Sequence, residues 1–287
     1  MRHEELARFV REQLVFIAVS VAAFASGPAI VHAQNREFAP VVFSESLDLS
    51  RGRLLPGTTD GLILSRGDYC YLMLEEWGWE SCDGIDAVIV GHLDATDTTM
   101  IAEPNSAGFV RFDDWESADR DSEIARIEAG LERSLAVQSE RTGDDIRFLG
   151  WRSYPTLNPA RHYMYYATDI SWNGSLQTNI RATVFDRKGY VVFTIVPIAA
   201  DPTAGEIEAM IDATLNRYVP AAEQSYAAFV TGDKVATAGA IGVLATMMGV
   251  KYGKSATAGF MAALLLIAKK AWFVLLLPLV WLKRLFR

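Results

Sequence analysis

The stretch HYMYYATDISWNGSLQTNIRATVF, residues His162–Phe185, decides the fold. Apolar and polar residues alternate on each side of Asn173 and Gly174, and this period of two is typical of half-buried β-strands. Asn-Gly strongly favours the two-residue turn of a β-hairpin, because both positions of that turn need a positive φ. The stretch therefore predicts two antiparallel strands, 162–172 and 175–185, with a tight turn between them.

The neighbouring sequence extends this hairpin into a meander. A strand pattern, DIRFLGWRSY (145–154), precedes the hairpin, and YVVFTIVPI (190–198) follows it after the short turn DRKG. Further upstream, the apolar runs FAPVVF, GLILS, IDAVIVGHL and AGFVRF have the length of strands. Strands that follow one another through short turns pair in an antiparallel manner, so the predicted sheet is antiparallel.

Apolar residues at helical spacing predict three amphipathic helices. They cover GDYCYLMLEEWGW (67–79), DSEIARIEAGLERSLAVQSERTG (121–143) and AGEIEAMIDATLNRYV (204–219). In the second helix Asp121 or Ser122 is the expected N-cap, and Gly143 ends the helix. Because helices and strands do not alternate regularly, we predict an α+β fold: an antiparallel sheet flanked by amphipathic helices, with membrane helices at the C-terminus.

Charge is distributed unevenly along the 287 residues. The net charge is −8, but no Asp or Glu follows Asp233, whereas eight Lys and Arg residues do. Residues 1–33 are neutral overall, which leaves −16 on residues 34–233, the predicted acidic periplasmic domain. Such a domain lacks the basic face that phosphate binding requires, so we exclude nucleic acid as a partner.

The N-terminus has the pattern of a secretory signal peptide. The apolar run LVFIAVSVAAFA (14–25) is followed by Gly27-Pro28 and then by VHA (31–33), which has small residues where signal peptidase reads them. We therefore predict a signal peptide over residues 1–33, with cleavage after Ala33. An uncleaved N-terminal anchor is the alternative, and both place the following domain outside the membrane.

The C-terminus is apolar and basic, and it predicts a membrane anchor over residues 234–287. Val235–Val250 contains 16 uncharged residues and would rise about 24 Å as a helix, whereas Ala256–Leu282 would rise roughly 40 Å. The hydrocarbon core is about 30 Å thick, so at least one crossing is expected and the number of crossings stays open. The positive-inside rule places eight residues at the membrane interface: Lys234, Lys251, Lys254, Lys269, Lys270, Lys283, Arg284 and Arg287.

Two cysteines, Cys70 and Cys82, allow two interpretations. In an oxidising compartment they form a disulfide that closes a short loop. Alternatively, Cys70 is a buried free thiol on the apolar face of its helix. The sequence does not decide between the two.

Candidate catalytic residues are few. The sequence contains no His-Glu-x-x-His motif, no Gly-x-Ser-x-Gly motif and no pair of Cys-x-x-Cys motifs. His162, in an aromatic strand, and His92, which precedes Asp94 and Asp97, are the candidates for acid–base chemistry. One such run does not define a metal site, so we expect no metal and no cofactor. Five tryptophans either line a groove for a peptide, glycan or lipid or fill the core: Trp77, Trp79, Trp115, Trp151 and Trp172.

Four segments, in chain order, resemble a known family: FVRFDDWESADRDSEIARIEAGLERSL, IRFLGWRSYPTLNPARHYMYYATDI, NIRATVFDRKGYVVFTIV and FVTGDKVATAGAIGVLATMMGVKYGK. The order Gly150-Trp151, Pro155, His162, Gly189 and Gly232-Asp233-Lys234 carries the resemblance. From about Leu54 onward the chain is similar to the bacterial predicted membrane-anchored protein family of unknown function, domain of unknown function 2167. The family's Trp-Gly-Asn-Pro-Pro run is replaced here by WGWESCDG (77–84). The resemblance implies an envelope protein with a C-terminal anchor, and it brings no known reaction or catalytic residue.

These observations favour a membrane-anchored bacterial envelope protein that acts as a non-enzymatic binding or assembly module. We expect it in the inner membrane with its main domain in the periplasm, where its partners are the lipid bilayer and another envelope protein. One alternative is an envelope hydrolase or transferase that uses His162 or His92 with nearby carboxylates. A second alternative is an oligomeric membrane structure whose helices approach closely at four glycines of the tail: Gly239, Gly242, Gly249 and Gly259.

Overall fold

The computed structural model describes residues 38–57, 61–76, 81–93, 96–198 and 201–250 of the chain. In these residues the strands are β1 (Val41–Val42), β2 (Leu47–Leu49), β3 (Gly52–Leu54), β4 (Gly61–Ile63), β5 (Ala87–Leu93), β6 (Thr96–Asn105), β7 (Ile146–Asn158), β8 (Tyr163–Trp172), β9 (Ser175–Asp186), β10 (Gly189–Pro197) and β11 (Tyr218–Pro220). The α-helices are α1 (Arg66–Tyr71), α2 (Arg120–Thr142), α3 (Ala204–Arg217) and α4 (Ala240–Met247). A π-helical turn, Leu72–Glu76, follows α1, and two 3₁₀ turns, Ala222–Gln224 and Tyr226–Ala228, follow β11.

Eight of these strands form one antiparallel sheet in the order β1-β4-β5-β6-β10-β9-β8-β7. The β8–β9 hairpin turns at Asn173 and Gly174, whose φ angles are 50° and 83°, and Trp172 pairs with Ser175 across the turn. A smaller antiparallel sheet has the order β11-β3-β2. The structure therefore confirms the antiparallel α+β fold, and within it the predicted hairpin.

Both faces of the large sheet are buried. Successive side chains of a strand point to opposite faces, so one strand can contribute to the core on each side. On β10, Val191, Phe193 and Ile195 belong to one apolar cluster, to which α3 and the small sheet contribute. Tyr190 and Val192 belong to the cluster on the other face, with residues of α2 and α4. The large sheet is therefore a middle layer with helices on both faces.

The ends of α2 show which local signals the sequence carries. Gly143, with a φ of 81°, ends the helix as predicted. The helix begins earlier than predicted, because the chain already has helical angles at Asp119, which takes the N-cap position in place of Asp121 or Ser122.

The predicted helix 67–79 is shorter and less regular in the structure. Its α-helical part begins after Ser65, whose hydroxyl oxygen accepts a hydrogen bond from Asp68 N (3.2 Å), and it becomes π-helical at Leu72. Residues 77–80, which include Trp77 and Trp79, lie outside the described residues.

The predicted strand AGFVRF (107–112) forms only a single bridge, between Phe109 and Val235. Gly108 has a φ of 106°, and a Cβ at this position would lie 2.8 Å from Lys234 O. Phe109 N donates a hydrogen bond to the same oxygen (2.8 Å). The chain therefore leaves the large sheet here and runs along the returning C-terminal segment.

A buried ion pair connects the small sheet to the large sheet. The side chains of Arg51, beside β3, and Asp186, at the end of β9, are 7% and 0% exposed. Arg51 Nη1 donates to both carboxylate oxygens of Asp186 (2.9 and 2.8 Å), and Arg51 Nη2 donates to Ser106 Oγ (2.6 Å). Lys188 N donates to Asp186 Oδ1 (2.7 Å). These donors replace the water that a buried carboxylate loses.

The first part of the predicted membrane anchor packs on the folded domain in the structure. Val235–Val250 contains the short helix α4, whose Ile241 and Leu244 are 1% and 0% exposed and pack in the same apolar cluster as α2. Hydropathy alone does not separate a short membrane helix from a buried core helix, and runs below about 17 residues are commonly the latter. The folded domain therefore extends to Val250.

Three of the glycines that the sequence suggested for membrane helix contacts, Gly239, Gly242 and Gly249, lie in the described domain. Gly239 precedes α4, where a Cβ would lie 2.4 Å from the carboxyl carbon of Asp114. That carboxylate accepts hydrogen bonds from Ala240 N (2.9 Å) and Ile241 N (3.0 Å) at the first turn of α4. Gly242 is buried within the same helix.

Lys234, predicted to lie at the membrane interface, contacts the domain: its Nζ donates to Ser106 O (3.1 Å). Within the part of the chain that the structure describes, no helix has the length and apolar character needed to cross a bilayer. The predicted signal peptide (1–33), Ala256–Leu282 and the basic residues from Lys251 to Arg287 lie outside the described residues.

Replacement of Leu244 by alanine tests the placement of α4. Because Leu244 is completely buried, Leu244→Ala should lower the free energy of unfolding by about 2–5 kcal/mol. Val137→Ala on α2 is the control, because Val137 is 64% exposed and its truncation should change that free energy by less than about 0.5 kcal/mol. Urea unfolding of the full chain in detergent, followed by tryptophan fluorescence, measures both. Equally small effects would contradict the packing of α4 in the core.

Replacement of Arg51 by methionine tests the buried ion pair. Arg51→Met should lower the free energy of unfolding by about 3–5 kcal/mol, because it leaves the charge of Asp186 buried without its main partner. Arg66→Met is the matched control: Arg66 pairs with Asp83 at the surface, where the side chains are 63% and 85% exposed. That control should cost less than about 1 kcal/mol in the same urea experiment. Equal losses for the two variants would refute a desolvated pair at Asp186.

Candidate functional site

A cavity of about 190 Å³ opens at one end of the large sheet, and we call it the His162 pocket. The turn between β7 and β8, β9, the end of α3, β11 and the second 3₁₀ turn surround it. Its mouth is formed by exposed or half-buried residues: Arg161, His162, Tyr163, Ser225 and Tyr226. Its floor is buried and is formed mainly by Val184, Phe185, Leu215 and Tyr218.

The turn before β8 holds His162 in a fixed position. Asn158 Oδ1 accepts a hydrogen bond from Arg161 N (3.0 Å), which closes the turn. His162 has a φ of 56°, in the left-handed region, and its carbonyl oxygen accepts from Phe185 N of β9 (2.8 Å). The hydrogen bond to β9 therefore holds His162 in a backbone conformation that non-glycine residues seldom adopt.

Aromatic rings stack next to His162. Its ring lies 4.3 Å from that of Tyr226, with 19° between the planes, and Tyr226 stacks in turn on Phe112 at 5.1 Å. The Tyr226 hydroxyl donates to Val110 O (2.7 Å), which fixes the ring along its length. The ring of Phe109 lies 4.3 Å from that of Tyr226. His162 and Tyr226 form this side wall of the pocket, and Phe109 and Phe112 support Tyr226 from behind.

Burial sets the protonation states of this wall. It lowers the pKa of His162 below its usual 6.5, because a charged imidazolium would lose hydration there. It raises the pKa of Tyr226 to about 12, with a smaller contribution from the charge of Asp113. At neutral pH the imidazole is therefore uncharged and the phenol is protonated.

Arg161 supplies the charge at the mouth of the pocket. Its Nη2 donates to Asn216 Oδ1 (2.8 Å), and its Cζ lies 5.1 Å from the ring centroid of Tyr163. A cation over an aromatic face is stabilised by the quadrupole of the ring. The lining residues within the described part of the chain include no other Arg or Lys and no Asp or Glu.

Tyr218 contributes both to the floor and to the adjoining core. It is 5% exposed, its ring lies 5.2 Å from that of Phe193, and its hydroxyl has no hydrogen-bond partner among the described residues. Burial raises the pKa of Tyr218, and the nearby charge of Asp186 adds to the shift. The hydroxyl is therefore protonated, and buried hydroxyls in this state usually find a partner in water or a ligand.

The end of the first 3₁₀ turn and the residue after it are attached to the end of β9. Asp186 and Ser225 form a backbone bridge, and Arg187 N donates to Gln224 O (2.9 Å). The guanidinium of Arg187 donates two hydrogen bonds to the carboxylate of Asp233, at 2.7 and 2.8 Å, and holds its pKa down at about 2. These contacts keep the mouth residues Ser225 and Tyr226 against the sheet.

The structure does not bring the two candidate histidines together. His92 lies in β5, where it pairs with Asp97 of β6, whereas His162 lies at the other end of the large sheet, with β6, β10 and β9 in between. Among the described residues, no carboxylate lines the pocket beside His162. In the described residues, no group of three or more His, Cys, Asp or Glu is placed to hold a metal ion.

Cys70 and Cys82 form a disulfide in the structure, with an S–S distance of 2.01 Å. It ties α1 to the segment before β5, and both cysteines pack on an apolar cluster with Tyr69, Leu72 and Met73. The disulfide is thus part of the domain core rather than of the His162 pocket.

The described tryptophans do not form a shared groove. Trp115 is buried in the cluster beneath α2, and Trp151 and Trp172 pack against the same cluster. Trp151 Nε1 donates to Glu128 Oε2 of α2 (2.8 Å). These three residues therefore fill and border the core.

Sequence reasoning found His162 but missed Arg161 and Tyr226. The only available signal was the aromatic content of RHYMYY (161–166) and SYAAF (225–229). Neither run shows that the two segments meet, because their contact depends on the path of the chain across the end of the sheet.

Comparison with known proteins gives a family but no activity. The model of the family described as "Protein of unknown function (DUF2167)" matches residues 62–280, which is more than half of the chain. No curated protein matches the chain. A solved structure, that of cyanobacterial PsbP (CyanoP) from Synechocystis sp. PCC 6803, is similar at 10% identity and a TM-score of 0.32, over 68% of this chain and 100% of that one. A likeness at this level supports no conclusion about this chain.

The lowered pKa of His162 predicts an acid-sensitive domain. Because the folded-state pKa lies below the unfolded value of 6.5, the stabilising contribution of neutral His162 is complete above pH 6.5 and is lost as the pH falls through the folded-state pKa. In His162→Asn, whose side chain tolerates the left-handed conformation, this part of the pH dependence should disappear. Urea unfolding between pH 5 and about 8, with NMR titration of the imidazole, measures both effects. A titration of His162 at or above 6.5 would contradict its burial.

Proposed function

The chain belongs to the DUF2167 family, and we propose that it is a non-enzymatic binding module of the bacterial cell envelope. The folded domain lies in the periplasm, the C-terminal segment lies in the inner membrane, and the His162 pocket receives part of another envelope component. The observation that carries this proposal is the pocket itself: a cavity with an aromatic wall and, among the described lining residues, a single cation, Arg161, at its mouth.

The chemistry of the lining residues favours binding over catalysis. General acid–base catalysis needs a group that titrates near the working pH and a partner that orients it. An uncharged His162 could accept a proton, but no carboxylate among the described lining residues is placed to orient its ring, and Tyr226, with its pKa raised to about 12, stays protonated. The described lining therefore offers a site that can hold a ligand but lacks the paired acid and base of a catalytic site.

Two features support a periplasmic domain. Disulfides form and persist in oxidising compartments, and Cys70 and Cys82 are joined by one in the structure. The sequence from Lys251 to Arg287 carries seven Lys and Arg residues and no Asp or Glu, which is the charge pattern of a segment whose basic residues remain on the cytoplasmic side.

The C-terminal segment also supports attachment to the inner membrane. Ala256–Leu282 has 27 residues, mostly apolar, and as a helix would exceed the thickness of the hydrocarbon core, about 30 Å. Because α4 ends at Met247, little chain separates the domain from this segment. The His162 pocket would thus operate close to the membrane surface.

Photo-crosslinking in intact cells tests the proposal. A benzophenone amino acid in place of Tyr163, at the mouth of the pocket, should give a discrete adduct with an envelope component. The same amino acid in place of Val137, which is 64% exposed on α2, should not give that adduct. Ala227→Trp, which introduces an indole at the mouth, should abolish the adduct, whereas Ala136→Trp at an exposed position of α2 should leave it.

Three results would refute the proposal. The first is the absence of any adduct from position 163. The second is the same adduct from positions 163 and 137. The third is failure of a membrane-impermeant amine reagent to label the exposed Lys188 and Lys234 in spheroplasts, since a periplasmic domain must be accessible to it.

A further inference from the structure

We propose that the His162 pocket recognises a carboxylate carried on a short apolar group. This inference rests on the binding function proposed above and adds the chemical class of the ligand. Three properties of the pocket support it: the sign of its charge, the apolar character of its floor and its volume.

The sign of the charge selects an anion. Arg161 is the one ionised side chain among the described lining residues, and the neighbouring His162 is uncharged at neutral pH. A guanidinium presents five N–H groups in a planar fork that matches the geometry of a carboxylate. Only Nη2 donates to a described acceptor, Asn216, so most of the fork is open to a ligand.

Two contacts restrain the Arg161 side chain before any ligand binds. Its contact with the face of Tyr163 and its hydrogen bond to Asn216 restrict a side chain that otherwise has many rotamers. A restricted donor loses less conformational entropy on binding, so more of the interaction energy appears as affinity.

The floor of the pocket selects an apolar group. Val184, Phe185 and Leu215 are buried side chains with no hydrogen-bonding atoms, and the ring of Tyr226 adds an aromatic wall. Removal of apolar surface from water provides the driving force for a group that enters here. A polar group would lose its hydration against these side chains.

The volume limits the size of this group. An engineered cavity of about 150 Å³ accommodates benzene, so about 190 Å³ accommodates one aromatic ring or one branched aliphatic side chain. A longer molecule can place only its end in the pocket. The ligand group that fits is therefore a terminal carboxylate next to one apolar side chain. Two kinds of molecule carry this group: a free N-acylated amino acid and the C-terminal residue of a polypeptide.

The same reasoning disfavours a free amino acid. Its ammonium group would need a counter-charge, and no Asp or Glu of the described residues lines the pocket. Asp113 and Asp186 lie near enough to act on the hydroxyls of Tyr226 and Tyr218, but neither lines the pocket, and Arg51 already pairs with Asp186. Acidic residues farther than about 10 Å from the pocket are largely screened at ordinary ionic strength. The guanidinium of Arg161, in contrast, would donate hydrogen bonds directly to the carboxylate of the ligand.

Binding of matched acid and amide ligands tests the inference with the full chain in detergent. N-acetyl-phenylalanine should bind about tenfold more tightly than N-acetyl-phenylalanine amide, because only the acid makes charge-assisted hydrogen bonds. Arg161→Gln should remove this difference, whereas Arg66→Gln, at a distant exposed arginine, should preserve it. Isothermal titration calorimetry measures the affinities, and the urea experiment shows that both variants remain folded.

A peptide that ends in phenylalanine distinguishes the two sources of the carboxylate. If the peptide binds at least as tightly as N-acetyl-phenylalanine, the ligand is the end of a polypeptide. If only the small acid binds, the ligand is a free acylated amino acid. Either result supports recognition of a terminal carboxylate.

Other outcomes overturn the inference, and they separate it from the proposed function. Equal binding of acid and amide, or a difference that survives Arg161→Gln, refutes carboxylate recognition but leaves the pocket as a binding site. If neither ligand binds while the adduct from position 163 persists, the ligand class is wrong and the binding function stands. If binding and adduct are both absent, both proposals fail.

Discussion

The carboxylate of Asp186 is completely buried, and the architecture around the His162 pocket depends on this group. A charge without water is tolerated only where hydrogen-bond donors replace the water, and here the donors are Arg51 and the backbone of Lys188. Because they come from separate parts of the chain, they fix β3, β9 and the turn after β9 relative to one another. Ser225 pairs with the backbone of Asp186, so one buried charge also places a wall of the pocket.

The pocket that results is organised before any ligand binds. His162 and Tyr226 are in face-to-face contact, and the Tyr226 hydroxyl is bound to a backbone carbonyl, so neither ring can turn freely. Aromatic side chains have two rotatable bonds each, so they lose little conformational entropy for the contact area that they provide. His92 lies on β5, with β6, β10 and β9 between that strand and β8, so it takes no part in this pocket.

The sequence predicted well the features that depend on neighbouring residues. Asn173-Gly174 dictates a turn through its own backbone preferences, and Gly143 ends α2 because glycine adopts the left-handed conformation without steric cost. Prediction failed where distant partners decide. Arg161 and Tyr226 reach one pocket only after the chain has crossed the end of the sheet, and no periodicity records that crossing. Leu244 has the same hydropathy in a bilayer as in a core, so the sequence could not show that α4 packs on the domain.

The packing of α4 has a mechanical consequence. Val250, the last residue that the structure describes, contacts Gly130 of α2, and its N–H donates to Ala245 O (2.8 Å). A pull on the chain beyond Val250 would therefore act on α4 directly, without a slack linker to absorb it. Extraction of the helix would expose Leu244 and break the hydrogen bonds of Asp114 before the sheet itself is loaded. Tension on the C-terminus would thus act on the helical layer before it acts on the large sheet.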